Sequence, residues 1–372
     1  MNYLAIIHYL PLEFYPPVTN FLDIFLKDSD TNTVRVYTTK NNKHRSIYTN
    51  SKCLICRYPL IKKENLFFRL LKYMQFNIGV LFSLINLKPS KILYYETFSS
   101  CPVYIYKRFF NRKVNIYVHN HEYLSPEWYK KNMCLLKYYH KKEINFLYPR
   151  AIWNSQTNEK RAELFINDNP QINTDTIKII PNYPPATWSI NNVTHKKCDN
   201  IRFVYVGTLS LEYTFIKEFC EWVKNKEGMI FDIYSFNITP ATEEYLNSIQ
   251  ASNINFFKEG VEYDDIPKLI SQYNVGLILY RAITLNFRHN ATNKFFEYLA
   301  CGLDVWFPKQ MEGCYEYVTE GTYPKVIKLD FEDLESIALN EITSRENLIY
   351  CPTSYYAEEA FSELINHLLL VD

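Results

Sequence analysis

The chain has 372 residues, 47% of them hydrophobic and 17% aromatic, which excludes general disorder and makes two domains the natural expectation. Lys and Arg number 41 against 40 Asp and Glu, a formal net charge of +1. No run reaches the roughly 18–20 uninterrupted apolar residues that a membrane-crossing helix needs.

The first residues, Met1-Asn2-Tyr3-Leu4, lack the basic flank and cleavage site of a signal peptide and read as the start of a core strand, 3–9. Strands are then expected at 33–38, 53–58, 91–96, 114–119, 151–154 and 177–180. Helices are expected at about 17–27, 63–86, 101–110, 127–147 and 156–166. The nearest candidate for a span, Leu66 to Leu87, carries Arg69, Lys72, Gln75 and Asn77; its polar positions form a narrow helical stripe, as in a mostly buried helix. Pro181-Asn182-Tyr183-Pro184-Pro185 and the polar residues up to Asn200 read as a linker. The alternation then restarts. Strand 202–206 leads to Gly207, and helices near 214–226, 241–250 and 264–272 alternate with strands 230–234, 254–256 and 275–280. Strands 303–307 and 325–328 and helices near 331–341 and 355–370 complete the chain. The pattern is α/β: a parallel, doubly wound sheet in each half. The domains expected are 1–183, a linker 184–200, 201–352, and a C-terminal helix 353–372 that crosses back to the first domain.

Charge and glycine both divide the halves. Residues 1–190 hold 26 Lys and Arg against 13 Asp and Glu, a net +13; residues 191–372 hold 15 against 27, a net −12. A basic half suits an anionic partner: nucleic acid, lipid headgroups or a phosphorylated acceptor. The basic residues form no repeat or recognised nucleic-acid module, and the acidic half opposes such binding. Of eight glycines only Gly79 lies in the first half. The turn after the first strand, Leu10-Pro11-Leu12-Glu13-Phe14-Tyr15-Pro16-Pro17, has none, so a glycine-rich phosphate loop is excluded there. If the chain binds a nucleotide, the second half must do it.

Nine cysteines are odd in number and scattered. Cys53-Leu54-Ile55-Cys56 is the only CxxC and sits in a strand-like run, which reads as reduced core cysteines in a reducing cytoplasm. The sequons at Asn192, Asn237 and Asn290 carry no weight in that compartment. Asp28-Ser29-Asp30 is formally a DxD, but it stands in the turn-rich Lys27-Asp28-Ser29-Asp30-Thr31-Asn32-Thr33 and reads as a turn. His119 and His121 lack an evident third ligand, so no metal site is expected.

The segment with the most chemistry runs from Asn293 to Val305, between two apolar strands. A short helix beginning at a strand end turns free N–H groups and a positive dipole end toward an anion. Glu297, about one turn in, is placed to accept hydrogen bonds from sugar hydroxyls.

Four segments, in order, resemble GT-B glycosyltransferases of the retaining family 4, common in bacterial surface-polysaccharide synthesis. They are Tyr117-Val118-His119-Asn120-His121-Glu122-Tyr123; Ala151-Ile152-Trp153-Asn154-Ser155 with Ile179-Ile180-Pro181-Asn182-Tyr183-Pro184; Phe203-Val204-Tyr205-Val206-Gly207; and Asn293 through Gly302. The resemblance implies two Rossmann-like domains facing each other across a cleft, with the acceptor on the first and the donor on the second. His121 and Glu122 would face the sugar as the catalytic pair. Gly207, Thr208, Arg281, His289, Asn293, Lys294 and Glu297 would surround a UDP- or GDP-linked sugar, with Glu297 holding the ribose hydroxyls. No cofactor and no divalent ion is implied. The partners implied are a nucleotide sugar and a glycan or polyprenyl-diphosphate-linked acceptor, at the inner face of the cell membrane. The sequence departs from the family where His289 replaces the first motif glutamate, Thr208 the usual basic residue, and Asp304 a common proline. Arg281, Arg288 and Lys294 are then the nearest cations for a diphosphate. Two further readings remain open: a GT-B sugar-nucleotide 2-epimerase, and a non-catalytic glycosyltransferase-like subunit.

Overall fold

The computed structural model describes residues 3–27, 34–41, 45–60, 65–131, 134–189, 200–236, 238–345 and 347–370. The Asp28-Ser29-Asp30 sequence, the sequons at Asn192 and Asn237, Cys198 and linker residues 190–199 lie outside them. By packing, the chain divides into Met1–Asn182 with Ala357–Asp372, and Tyr183–Tyr356.

In the first unit, β1 (Leu4–His8), α1 (Pro16–Lys27), β2 (Val34–Thr39), β3 (Cys53–Tyr58) and α2 (Leu66–Leu87) are followed by β4 (Lys91–Tyr95) and α3 (Ser100–Ile105). Then come β5 (Asn115–His119), α4 (Pro126–Lys131), α5 (Cys134–Lys142), β6 (Trp153–Gln156), α6 (Glu159–Asp168) and β7 (Ile177–Ile179). The seven strands pair in parallel in the order β3-β2-β1-β4-β5-β6-β7. Because side chains alternate along a strand, β1 sends Ala5 and Ile7 to one face and Leu4 and Ile6 to the other. Ala5 and Ile7 pack with Tyr73, Phe76, Val80 and Leu84 of α2 and with Val103 of α3. Leu4 and Ile6 pack with Phe21 and Leu22 of α1 and with Phe361 and Leu364 of the C-terminal helix Ala357–Leu370. With both faces covered, β1 and β4 read as largely apolar runs, whereas β6 buries the polar Asn154, Ser155 and Gln156.

The second unit holds β8 (Ile201–Val206), α7 (Ile216–Val223), β9 (Met229–Tyr234), α8 (Pro240–Ser248), β10 (Ile254–Phe257) and α9 (Ile266–Ile270). It continues through β11 (Val275–Leu277), α10 (Leu285–Arg288), α11 (Asn293–Ala300) and β12 (Asp304–Pro308). β13 (Thr322–Tyr323), β14 (Val326–Leu329), α12 (Leu339–Thr343) and β15 (Ile349–Tyr350) close it, before the C-terminal helix α13. Six strands form a sheet in the order β10-β9-β8-β11-β12-β14; β13 and β15 pair separately. Val204, Val305 and Phe307 face α9 and α11, while Phe203, Tyr205 and Trp306 face α7.

Several elements differ from expectation. The long segment expected as one helix over 127–147 contains α4, α5 and a π turn over Glu143–Leu147. Within the expected linker, Ala186–Trp188 forms a helical turn and Trp188 is buried in the core of the second unit. The main correction concerns α2. It is not mostly buried: Tyr73, Phe76, Val80 and Leu84 face the core, but Leu66, Phe67, Phe68, Leu71, Met74, Ile78 and Phe82 are exposed. Apolar residues surround the helix, so its few polar positions do not reveal which apolar side is covered. Among the described residues α2 alone is long and apolar enough to cross a membrane, with 28% of its most apolar window buried.

Candidate functional site

In an open parallel sheet, ligands bind beyond the C-terminal strand ends where the strand order reverses. In the second unit that point lies between β8 and β11, the first strand and its later neighbour. Gly207 follows β8 directly, with φ at 153°, a conformation side chains rarely adopt. A Cβ there would stand 3.3 Å from the Tyr205 hydroxyl. That hydroxyl donates to the Thr208 carbonyl at 2.6 Å and holds the turn, leaving the Thr208 side chain exposed.

The chain leaving β11 reaches α10 and then α11, whose N-terminus lies on the same side of the sheet because α11 runs back to the start of parallel β12. Thr292 caps α11, its hydroxyl accepting from the Phe295 N–H. Phe295, Phe296, Tyr298 and Leu299 bury the helix, contributing on the order of 1.5–3 kcal/mol each. Tyr298 ties α11 to β8: its hydroxyl accepts from the Val206 N–H at 2.9 Å, one residue before Gly207. This close packing needs Gly276 in β11, where a Cβ would meet the Tyr298 ring at 2.2 Å.

Glu297 is buried, 1% exposed, in a helix otherwise packed with aromatic and aliphatic side chains. Its carboxylate pairs with Lys294 one turn earlier. Lys294 also lies over the Tyr263 ring at 5.8 Å, and Tyr263 packs at a tilt on Trp188 with ring centroids 4.7 Å apart. A buried charge persists only when paired or hydrogen-bonded. Asn293 is half-buried at the first position of the helix. Gly207, Thr208, Asn293, Lys294 and Glu297 are thus gathered around the switch point.

Two expected donor residues are placed otherwise. Arg281 donates to Glu218 of α7 and lies over the Phe215 ring at 4.4 Å, so its guanidinium is already engaged. His289 is buried beyond α10, its Nδ1 3.7 Å from Glu312, and its backbone is close-packed against Gly313. Arg288 is exposed at the end of α10.

The reversal point of the first unit lies between β1 and β4. A cluster invisible as a linear motif converges there: His8, Tyr95, Glu96, His119 and His121. The His121 ring stacks on Tyr95 at 5.1 Å and meets His119 edge-on at 4.6 Å. Burial, reinforced by the neighbouring imidazoles, drives the His121 pKa well down; burial takes His119 to about 3 and His8 to about 4. These rings are neutral at pH 7. The Nε2 atoms of His119 and His121 have no hydrogen-bond partner among the described residues. Among those residues no three His, Cys, Asp or Glu side chains group as a metal site.

Glu96 and Arg161 hold the His121–Glu122 segment. One Glu96 carboxylate oxygen accepts from the His121 N–H at 2.6 Å and the Glu122 N–H at 3.3 Å. Burial, with the Glu122 charge adding to it, raises the Glu96 pKa to about 8. Glu96 has φ 59° and ψ 159°, a strained conformation of the kind retained at functional sites. Arg161 is buried and donates to the His121 carbonyl at 2.9 Å. The Glu122 side chain is exposed, at the rim of a small mixed cavity with room for about one water, lined also by Asn120, Leu124, His140, Gln156, Phe165 and Asp168. The signal that marks Glu96 in the sequence is its place at the end of a strand beside the order reversal, which needs the topology to be recognised.

No protein-family model and no curated protein matches the sequence. Solved structures do match over nearly the whole chain. HepE of Anabaena, in complex with UDP and glucose, aligns with a TM-score of 0.65 at 13% identity, over 99% of this chain and 95% of that one. The lipopolysaccharide outer core galactosyltransferase WaaB, in its apo form, gives 0.63 at 14% identity, over 98% and 99%. The UDP-GlcNAc 2-epimerase of Neisseria meningitidis, bound to UDP-GlcNAc, gives 0.60 at 13%, over 99% and 100%. The chain therefore has the GT-B fold, an α/β architecture of two Rossmann-like domains shared by nucleotide-sugar glycosyltransferases and epimerases.

Proposed function

We propose that the protein is a glycosyltransferase that moves a hexose-type sugar from a nucleoside diphosphate to a hydroxyl acceptor. The observation that carries this reading is Glu297: a buried carboxylate, paired with Lys294, one turn into the helix that starts at the switch point of a GT-B second unit. The carboxylate accepts from ribose hydroxyls, and the α11 N-terminus with Lys294 takes the diphosphate. Gly207 lets the backbone approach that diphosphate without a Cβ. Positioning and electrostatic stabilisation of the departing diphosphate then supply the rate, with no divalent ion in the scheme. His121, neutral and fixed by Glu96 and Arg161, acts with Glu122 as the catalytic pair. The acceptor is a glycan on a lipid diphosphate, met at the inner membrane face by the basic half of the chain, as capsule, O-antigen or exopolysaccharide synthesis requires. HepE with UDP-glucose and the galactosyltransferase WaaB support a nucleotide-sugar reaction by likeness of fold.

The test is incubation with a panel of UDP- and GDP-sugars and a lipid-linked acceptor, with products read by mass spectrometry. Transfer from one donor is expected; no transfer from any of them overturns the proposal. Two other readings have their own grounds: the fold shared with UDP-GlcNAc 2-epimerases suits an epimerase, and His289 and Thr208, where the family carries a carboxylate and a basic residue, suit a non-catalytic subunit. Conversion of UDP-GlcNAc to its 2-epimer without acceptor selects the epimerase. Absence of both reactions and of nucleotide binding selects a non-catalytic subunit.

A further inference from the structure

Among the described residues, α2 presents a large apolar surface without a role. On α2, Phe67, Leu71, Met74, Ile78 and Phe82 follow the i, i+4, i+7 spacing of a single helical face, and all are exposed. The stripe runs about 22 Å along the helix at 1.5 Å per residue. Exposed apolar patches of this extent mark interaction surfaces. Phe67 and Phe82, at its two ends, are 63% and 62% exposed.

Charge identifies what the stripe meets. Leu66–Leu87 contains Arg69 and Lys72 and no carboxylate. α3 and α5 share its layer on the sheet, through the core formed by Tyr73, Val80 and Val103, against which Leu135 and Tyr139 of α5 pack. Beyond α3, Phe109 and Phe110 are exposed beside exposed Arg108, Arg112 and Lys113. On α5, Lys137 and Lys141 are exposed, and Lys142 lies over the Tyr138 ring at 5.0 Å. Across residues 101–150 the chain carries ten Lys and Arg against three Glu. Large apolar side chains flanked by cations, with few acids, match the boundary between acyl chains and anionic headgroups.

We propose that this layer of the first unit docks onto an anionic phospholipid surface, with the outward face of α2 lying in the interface. The helix lies on the membrane rather than through it. Its opposite face carries Tyr73, Phe76, Val80 and Leu84, each at most 3% exposed in the sheet core, and the Tyr73 hydroxyl donates to the Phe98 carbonyl. Crossing a bilayer would strip that cover from the sheet. A second copy of the chain is the less fitting occupant, because it would bring the cationic flanks of two identical layers together.

Sedimentation of the full chain with vesicles tests this without reference to the donor site. Binding is expected to phosphatidylcholine vesicles containing phosphatidylglycerol, to weaken with salt, and to be slight on phosphatidylcholine alone. Leu71→Glu/Ile78→Glu, at two exposed positions, lowers binding at least about tenfold, and Lys137→Gln/Lys141→Gln reduces its salt dependence. Glu297→Ala leaves vesicle binding unchanged, so failure of the donor-site reading and failure of this one are separable. Light scattering of the wild type and the Leu71→Glu/Ile78→Glu variant completes the set. Anionic-vesicle binding that the α2 variant does not weaken overturns the proposal. So does a wild-type dimer, dissociated by that variant, in a chain that does not bind vesicles.

Discussion

Gly276→Ala reaches the candidate site through its packing rather than its polar groups. The new Cβ would fall 2.2, 2.3 and 2.8 Å from three atoms of the Tyr298 ring, well inside contact distance. Tyr298 is fully buried, so the ring must move against Phe295 and Val206 or the strand must bend. Overpacking of this kind costs about 1–3 kcal/mol. Any ring movement also loosens the 2.9 Å bond from the Val206 N–H to the Tyr298 hydroxyl. Leaving that buried N–H without an acceptor adds about 1–3 kcal/mol. The total is about 2–6 kcal/mol, which at roughly 2 kcal/mol per molar urea lowers the unfolding midpoint by about 1–3 M. Hydrogen exchange of the 201–207 peptide, followed by mass spectrometry across a urea series, reads the second unit selectively. Tyr298→Phe keeps the ring and removes the acceptor, so it costs about 1–3 kcal/mol. The double variant costs less than the two singles together, because the displaced ring has already lost the bond. A midpoint for Gly276→Ala indistinguishable from wild type would refute the claim that Tyr298 packs against β11 and holds Val206.

Three more predictions concern charged and titrating groups. The raised pKa of Glu96, about 8 against an ordinary 4.5, means the folded chain holds a proton that the unfolded chain has released. Its contribution is full below about 4.5 and is lost as pH rises toward 8, so Glu96→Gln flattens the fall in first-unit stability across that window, measured by urea unfolding at stepped pH. His8 has the opposite sign: its folded pKa of about 4 lies below the ordinary 6.5, so stability present above 6.5 is lost as pH falls toward 4. His8→Gln removes up to about 3 kcal/mol of that acid sensitivity; an unchanged acid limb contradicts the neutral buried cluster. Arg281→Ala releases Glu218 and costs about 1 kcal/mol in stability while leaving nucleotide affinity within about twofold. A tenfold loss in calorimetry would instead give that guanidinium a direct role at the diphosphate.

The alternating apolar runs made both sheets legible, since buried parallel strands admit few polar residues. Glycine counting excluded a phosphate loop after β1, and the strand order independently puts Gly207 and α11 at the switch point of the second unit. The rest was hidden for physical reasons. Glu96 lies 25 residues from His121 in sequence, and only the β1-β4-β5 neighbourhood joins them. Arg281 looked like a free cation because Glu218, its partner, belongs to a helix 63 residues earlier. In α2, leucine and phenylalanine occupy both the covered and the open face, so periodicity alone could not separate core from surface. α11 departs from a simple amphipathic helix in the other direction: even its carboxylate is buried, which gives Glu297 more weight than its sequence position did.

Calorimetric titration of the wild-type chain and Glu297→Ala with UDP, GDP and their sugar conjugates tests the donor site most directly. Charge-assisted hydrogen bonds from ribose hydroxyls to a buried carboxylate amount to about 1.5–3 kcal/mol, or roughly 10- to 150-fold in Kd. The account predicts binding of one nucleotide family by the wild type and a loss of that size in a Glu297→Ala protein that remains folded. Equal affinity in the two proteins, or no nucleotide binding by the wild type, would contradict it.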